Sequence, residues 1–239
     1  MNRCRVHPAT PHPTEQELRA LRALPSTIVS DQLERYGYVR GVRQMTSNSL
    51  GILAGPALTV RTQPGDNLII YKAIEIAEPG DILVIEAGGA TDRAVMGELV
   101  CHHAEAAGIK GLVIDGCIRD SAAIAEGTLP VFALGCAHPG PFKNGSGELR
   151  GPVSVGGTVV RNADLVVGDA DGVAVVPRER LAATIDGGHR ALASEAERIR
   201  MAKVGEMDTR WLADELEVEY IETGSFEGAA AHDGDLRQT

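Results

Sequence analysis

The sequence predicts an α/β fold: one domain in which parallel strands are layered with helices. Three observations carry this. The runs Ile82–Leu83–Val84–Ile85 and Leu112–Val113–Ile114 are apolar at every position rather than alternating, as expected of parallel strands covered on both faces. Helix-like stretches and Gly/Pro turns separate these runs, giving strand, helix, strand, helix, strand in order. The 239 residues suffice for one large core, and abundant Ala, Val and Gly with only 3% aromatics suit tightly packed layers.

In chain order, residues 1–14 (MNRCRVHPATPHPT) carry Pro and His without periodicity and read as a flexible arm. Thr14 and Glu17 form a capping-box pattern opening a helix that runs to about Leu24, with Pro25 closing it. Ser26 is suited to cap a second helix, Thr27 to Tyr36, ended by Gly37. Ala57–Thr62 reads as a strand between Gly55–Pro56 and Pro64–Gly65. Asp66 or Asn67 starts a helix over Leu68 to Ala77, and Pro79–Gly80–Asp81 turns the chain into the strand Ile82–Ile85. Gly97 opens a helix that ends in a turn at Gly108, with Leu99, Ala106 and Ala107 on one face. The strand at Leu112–Ile114 runs up to Arg119–Asp120, and a short helix (Ala122 to Gly127) leads to a strand at Val131–Leu134. Gly135 to Gly151 is rich in Gly and Pro and reads as a loop. Its GSGELRG resembles a phosphate loop but lacks the Lys–Ser/Thr end. Strands follow at Val153–Val155, Thr158–Arg161, Leu165–Val167 and Val173–Val176, with a hairpin turn at Asp169–Gly172. A long helix runs from Pro177 to about Val204, where Gly205 stops it. The expected organisation is a main domain over 15–210 and an acidic tail over 211–239, the latter either a helix packed on a neighbouring subunit or partly loose.

The formal net charge of −10, with no Lys/Arg run, argues against nucleic-acid binding, which needs clustered cations. No apolar run reaches membrane-spanning length and no secretory h-region is present, so a cytoplasmic protein without membrane contact is expected. Cys4, Cys101, Cys117 and Cys136 show no metal-site spacing and read as reduced thiols. Cys117 is expected as a small core residue, although Arg119 nearby would favour its thiolate.

The stretch Gly97–Glu98–Leu99–Val100 through Ile118–Arg119–Asp120 concentrates the chemistry. In open α/β sheets, ligands gather at the carboxyl ends of strands, where Arg119 and Asp120 fall. Gly97 at a helix start exposes backbone N–H groups that favour an anion. Arg119 offers a planar fork matching a carboxylate, and Asp120 a hard oxygen ligand. Read alone, the pair is a surface contact or a helix cap, and Glu98 an ordinary first-turn acid. His102 lies one helical turn from Glu98 and reads as a polar surface residue rather than a metal ligand. No lysine (Lys72, Lys110, Lys143, Lys203) sits in an apolar setting suited to Schiff-base chemistry.

The string GELVCHHAEAAGIKGLVIDGCIRD resembles the signature segment of the superfamily containing 4-hydroxy-4-methyl-2-oxoglutarate/4-carboxy-4-hydroxy-2-oxoadipate aldolases and the regulator of ribonuclease activity A. The resemblance extends over roughly Glu15 to Arg210. It implies a single α/β domain of the swivelling phosphohistidine-domain type, with N-terminal helices and a long C-terminal helix, assembled as a homotrimer or a dimer of trimers. It also implies a divalent-metal-dependent lyase, with Mg2+ or Mn2+ held by Asp120 as the only direct protein ligand. Arg119 would hold the 2-oxo acid, Glu98 would touch metal-bound water, and the backbone around Gly97, Leu99 and Val100 would bind the substrate carboxylate. Glu195, with Glu197 as fallback, and Asp31 match acids that the family brings from a neighbouring subunit. The surroundings of Asp31 (Val29–Ser30–Asp31–Gln32–Leu33) depart from the family's histidine–glutamate–alanine pattern, which bears on the substrate. The implied reaction cleaves a 4-hydroxy-2-oxo acid to pyruvate and a second oxo acid, with oxaloacetate decarboxylation as a side activity. The alternative is a non-catalytic regulator that binds a ribonuclease. A menaquinone-pathway methyltransferase would need a glycine-rich cofactor loop after a first strand, which the sequence lacks.

Overall fold

The computed structural model describes residues 2–47 and 51–220. Along the chain these form β1 (Cys4–Val6), α1 (Glu15–Arg22), α2 (Ser26–Gln32), β2 (Arg43–Gln44), β3 (Leu53–Arg61), α3 (Leu68–Ile76), β4 (Ile82–Met96), α4 (Glu98–Ala106), β5 (Gly111–Ile118), α5 (Ser121–Glu126) and β6 (Val131–Cys136). There follow β7 (Gly147–Leu149), β8 (Val153–Val155), β9 (Thr158–Val160), β10 (Leu165–Asp169), β11 (Gly172–Val176), a 3-10 turn (Arg178–Arg180), α6 (Leu181–Lys203) and α7 (Leu212–Glu215). The chain divides into two compact units, residues 1–195 and 196–239, with the division inside α6 rather than near Arg210.

In the first unit the strands order as β1-β7-β3-β4-β5-β6-β2, and the central four run parallel. The mixed α/β architecture is the one the alternating pattern predicts. Period-two geometry explains why the central runs are apolar throughout. Leu83, Ile85, Leu112 and Ile114 face the layer formed with α3 and α4, where Ile69, Ile70, Val100 and Ala104 meet them. Ile82, Val84 and Val113 point to the opposite face and pack with Phe132, Val155, Val166 and Val175. A third cluster buries Leu21, Leu24, Ile28 and Val29 of the first two helices against Leu165, Val167 and Val176. Beyond Glu86 the pairing of β4 with β5 loses its regular register, and extra β4 residues bulge out between the pairs Ala90↔Gly116, Ala94↔Cys117 and Met96↔Ile118.

Several local expectations change. The arm expected to be loose carries β1, paired in parallel with β7 in the register Arg5↔Glu148. Its three side chains are all exposed, so no burial pattern announces it. The capping box at Thr14 and Glu17 forms as expected. Ser26, by contrast, caps nothing: its hydroxyl and backbone N–H both donate to Asp169, at 2.6 and 2.7 Å. The helix it begins stops at Gln32, because Glu34 and Arg35 adopt positive φ. The loop expected over 135–151 holds β7. On α4 the buried face is Val100, Cys101 and Ala104, whereas Leu99 points outward, 73% exposed.

In the second unit, α7 follows the end of α6, and Trp211, Leu216, Val218 and Tyr220 are exposed. The part of the expected acidic tail beyond residue 220 lies outside the described residues. Among the described residues, no helix is long and apolar enough to cross a membrane.

Candidate functional site

Three consecutive strand-to-helix connections at the carboxyl ends of β3, β4 and β5 converge on one cleft of about 160 Å³. Asn67 and Tyr71 come from the start of α3, Gly97, Leu99 and Val100 from the start of α4, and Arg119 and Asp120 from the end of β5. The loop bearing Gly140, Pro141 and Lys143 closes the side.

Arg119 continues the sheet pairing, its N–H donating to the Met96 carbonyl at 2.9 Å, so its backbone is fixed by β4. Asp120 then turns into the left-handed region, φ 55° and ψ 39°. An aspartate tolerates this better than most residues, at a cost of about 1–2 kcal/mol. The turn determines what Asp120 does. It occupies the N-cap position of α5, yet its carboxylate makes no cap bond there. Instead Oδ2 accepts the Glu98 N–H of the neighbouring α4 at 3.2 Å, at that helix's positive end. Arg119 Nε lies 3.6 Å from the same oxygen. The bare Cα of Gly97 makes this possible, since a Cβ there would fall 2.2 Å from Oδ2.

The amides at the α4 start divide. The Val100 N–H turns back onto the Gly97 carbonyl at 3.1 Å, so it is not available for the carboxylate that both Leu99 and Val100 were expected to bind. The Leu99 N–H has no partner among the described residues and remains for a ligand. Glu98 contributes its backbone to the cleft edge, but its side chain lines an adjacent hollow with Cys101 and Glu105 and stands 3.5 Å from His102. Burial among these acids pushes the Cys101 thiol up to about 12, so it is inert at neutral pH. Burial likewise raises the Cys117 thiol, against the thiolate-stabilising effect expected from Arg119.

Two other expected residues lie apart from this cleft within the chain. Asp31 lines a separate hollow with Ser26, Tyr38 and Arg40, and pairs with Arg35 at 3.5 Å. Glu195 is exposed on α6, and Glu197 is held by Arg200 at 2.7 Å.

The cleft also holds groups that sequence reasoning passed over. Asn67 is 2% exposed, caps nothing, and its Oδ1 has no partner. A buried acceptor left unpaired costs about 1–3 kcal/mol unless a ligand satisfies it. Lys143 Nζ lies 4.9 Å from the centre of the Tyr71 ring, a cation–π contact that aims the ammonium at the cleft. Its loop is tightly strapped. Asp66, buried beside Asn67, accepts the N–H groups of Asn144 and Gly145 on Oδ2 at 2.7 and 2.8 Å and that of Leu68 on Oδ1 at 2.8 Å. Arg93 donates to the Gly140 carbonyl and stacks on Phe142, 4.2 Å from the ring centre. The Gly-Asp-Asn start of α3 was the available signal, since an acid before a helix predicts a bound loop or cap.

The donor set suits a hard divalent cation held by one carboxylate. Asp120 Oδ2 is anchored, Oδ1 has no protein donor among the described residues, and Gly97 leaves the cradle a side chain would fill. No group of three or more His, Cys, Asp or Glu able to hold a metal occurs among the described residues, so water and substrate oxygens would complete the shell.

Comparison with known proteins identifies the family. A protein of Halalkalibacterium halodurans named "putative 4-hydroxy-4-methyl-2-oxoglutarate aldolase" is 41% identical over 162 residues, 66% of this chain and 74% of the relative. The solved structure of Streptomyces coelicolor RraAS2, titled an unusual member of the RNase ES inhibitor RraA protein family, superposes with a TM-score of 0.71 at 27% identity. It covers 80% of this chain and 99% of that one. An uncharacterized protein from Pseudomonas syringae gives 0.72 at 25% identity, over 82% and 96%. The family model described as RraA-like, Aldolase/RraA, matches residues 26–175, which carry every residue of the cleft, and the chain belongs to that family.

Proposed function

We propose that the protein is a divalent-metal-dependent lyase that cleaves 4-hydroxy-2-oxo acids of the 4-hydroxy-4-methyl-2-oxoglutarate type, releasing pyruvate. The observation that carries this reading is the cleft's pairing of one anchored carboxylate, Asp120, with Arg119, Lys143, the unpaired Leu99 N–H and the unpaired Asn67 amide. A regulator that only docks a partner has no use for buried unpaired polar groups facing a small hollow.

The chain's residues divide the work. Arg119 and the Leu99 N–H orient the substrate carboxylate and oxo group, and the fixed guanidinium faces the oxygen on which charge grows. The unpaired Asn67 Oδ1 accepts from a substrate hydroxyl, and the Lys143 ammonium receives a remaining carboxylate oxygen. A base removes the C4 hydroxyl proton, the C3–C4 bond breaks, and its electron pair passes to the enolate of pyruvate, which gains a proton at C3. Mg2+ or Mn2+ on Asp120 would supply Lewis acidity at the 2-oxo group. Among the described residues, Asp120 is the only carboxylate lining the cleft. The base is therefore a water governed by Glu98 together with Asp31 and Glu195 of an adjacent copy, in a homotrimer or a dimer of trimers. Oxaloacetate needs no such base, because loss of CO2 yields the same enolate.

Pyruvate release from 4-hydroxy-4-methyl-2-oxoglutarate and from oxaloacetate tests the reading, each measured with Mg2+ and with excess chelator. Both activities are expected to need the metal and to fall at least 100-fold in D120A. Chelator-insensitive release, or full activity in D120A, overturns it. A second reading is favoured by the RraA-titled structures: a regulator that binds a ribonuclease. Absence of turnover together with capture of a ribonuclease that survives R119A would establish it instead.

A further inference from the structure

On the far edge of the sheet, β1 and β7 border a second hollow of about 350 Å³, lined by Arg3, Arg5, Arg61, Ser146, Gly147 and Glu148. That volume falls in the range of small-ligand sites. It is a concentration of cations on a chain whose net charge is −10.

The hydrogen bonds show which charges are already matched. All three side-chain nitrogens of Arg61 are engaged: Nε with Glu86 at 3.1 Å, Nη1 with Glu148 at 3.2 Å, and Nη2 with the Pro152 carbonyl. Glu148 is equally saturated, with His7 on Oε1 and both Arg5 Nη2 and Arg61 Nη1 on Oε2. The remaining donors of Arg5 and the whole guanidinium of Arg3 have no acceptor among the described residues.

Arg3 immediately precedes β1 and Arg5 is the middle residue of that strand, and both side chains line the hollow. The backbone beneath them is fixed. The Arg3 N–H donates to Ser146 Oγ at 2.9 Å, the Gly147 N–H donates to the Arg3 carbonyl at 2.9 Å, and Arg5 stands in register with Glu148. The hollow therefore presents two guanidinium forks on an ordered strand, with the one lining carboxylate neutralised behind them.

We propose that Arg3 and Arg5 form a binding site for a small, multiply charged oxyanion. The chemistry is that of a phosphoryl or polycarboxylate group, which a pair of guanidinium forks matches with paired N–H···O bonds. The site shares no lining residue with the Arg119 cleft, and its two arginines lie ahead of the segment the family model matches, residues 26–175. It stands whether or not the lyase reading holds.

Isothermal titration of the full chain with inorganic pyrophosphate and with citrate, at about 150 mM chloride, tests it. At least one probe is expected to bind saturably, with a component that weakens about tenfold in R3A, disappears in R3A/R5A and persists in R119A. Binding of pyrophosphate alone assigns a phosphoryl ligand, and binding of citrate alone a polycarboxylate. The Arg3 side chain makes no hydrogen bond or ion pair among the described residues, so R3A is expected to keep the parent melting temperature and its loss of binding reads the site itself. If neither probe binds, or if R3A retains every binding component at parental strength, the proposal is overturned.

Discussion

Replacing Gly97 with alanine tests the geometry of the cleft at its tightest point. The added methyl would lie 2.2 Å from Asp120 Oδ2 and 2.9 Å from Arg119 Cγ. Ordinary C···O contacts begin near 3.3 Å, so the carboxylate must retreat by about 1 Å. The backbone is no obstacle, because Gly97 is extended at φ −149° and ψ −165°, where alanine is comfortable. The Asp120 side chain is 40% exposed and yields outward, which keeps the stability cost near the lower end of overpacking, about 1 kcal/mol. Function is less forgiving. A misplacement of about 1 Å costs on the order of 100-fold in rate, or about 2.7 kcal/mol of transition-state stabilisation. We therefore expect G97A to melt within a few degrees of the parent and to lose about 100-fold in kcat/KM for pyruvate release from 4-hydroxy-4-methyl-2-oxoglutarate. A folded G97A with kcat/KM within threefold of the parent would refute the claim that the seat of Asp120 matters.

Two further outcomes follow from the straps. D66N exchanges one acceptor oxygen for an amide nitrogen, so either Leu68 or the pair Asn144 and Gly145 loses its acceptor. It is expected to destabilise by about 2 kcal/mol and to raise KM at least fivefold with a smaller change in kcat, since Lys143 rides on the loop; an unchanged KM in steady-state assays would show that the loop does not position substrate. Glu148 is held below the usual carboxylate range, chiefly by its hydrogen bond with His7 and then by Arg5 and Arg61. A depressed folded-state pKa gives stability that is present above the unfolded value of 4.5 and lost as pH falls through the folded value. E148Q should accordingly be less stable than the parent at pH 7 in urea melts, and the gap should narrow as pH falls below 4.5; a pH-independent gap would assign the effect to packing.

The legible parts of this protein are those whose signal is local. The apolar runs of β4 and β5 announce strands buried on both faces, and the stretch from Gly97 to Asp120 brings a helix start and a strand end together within one βα unit. Other parts depend on partners distant in sequence. Asp120 reads as a helix cap, and it is one, but for α4 rather than for the helix it precedes. That reversal depends on a left-handed backbone and on the missing Cβ of Gly97, which no periodicity encodes. Lys143 lies in a segment without hydrophobic pattern, and contacts distant in sequence hold it at the cleft: Asp66, Arg93 and Tyr71, with the Phe142 backbone bonded to Gly65 and Asn67. Val100 illustrates the converse: its position at a helix start suggests a free amide, yet the first turn closes on it.

The cleft draws on three successive crossovers, and this has a consequence for descent. Arg119 and Asp120 follow directly on a central strand, whereas Tyr71 projects from the helix of an earlier crossover. Substitution on that helix can reshape the pocket wall while Arg119 and Asp120 stay rooted elsewhere. Such a layout lets one lineage diversify what it accepts without rebuilding how it reacts, and lets another abandon catalysis yet inherit the scaffold intact.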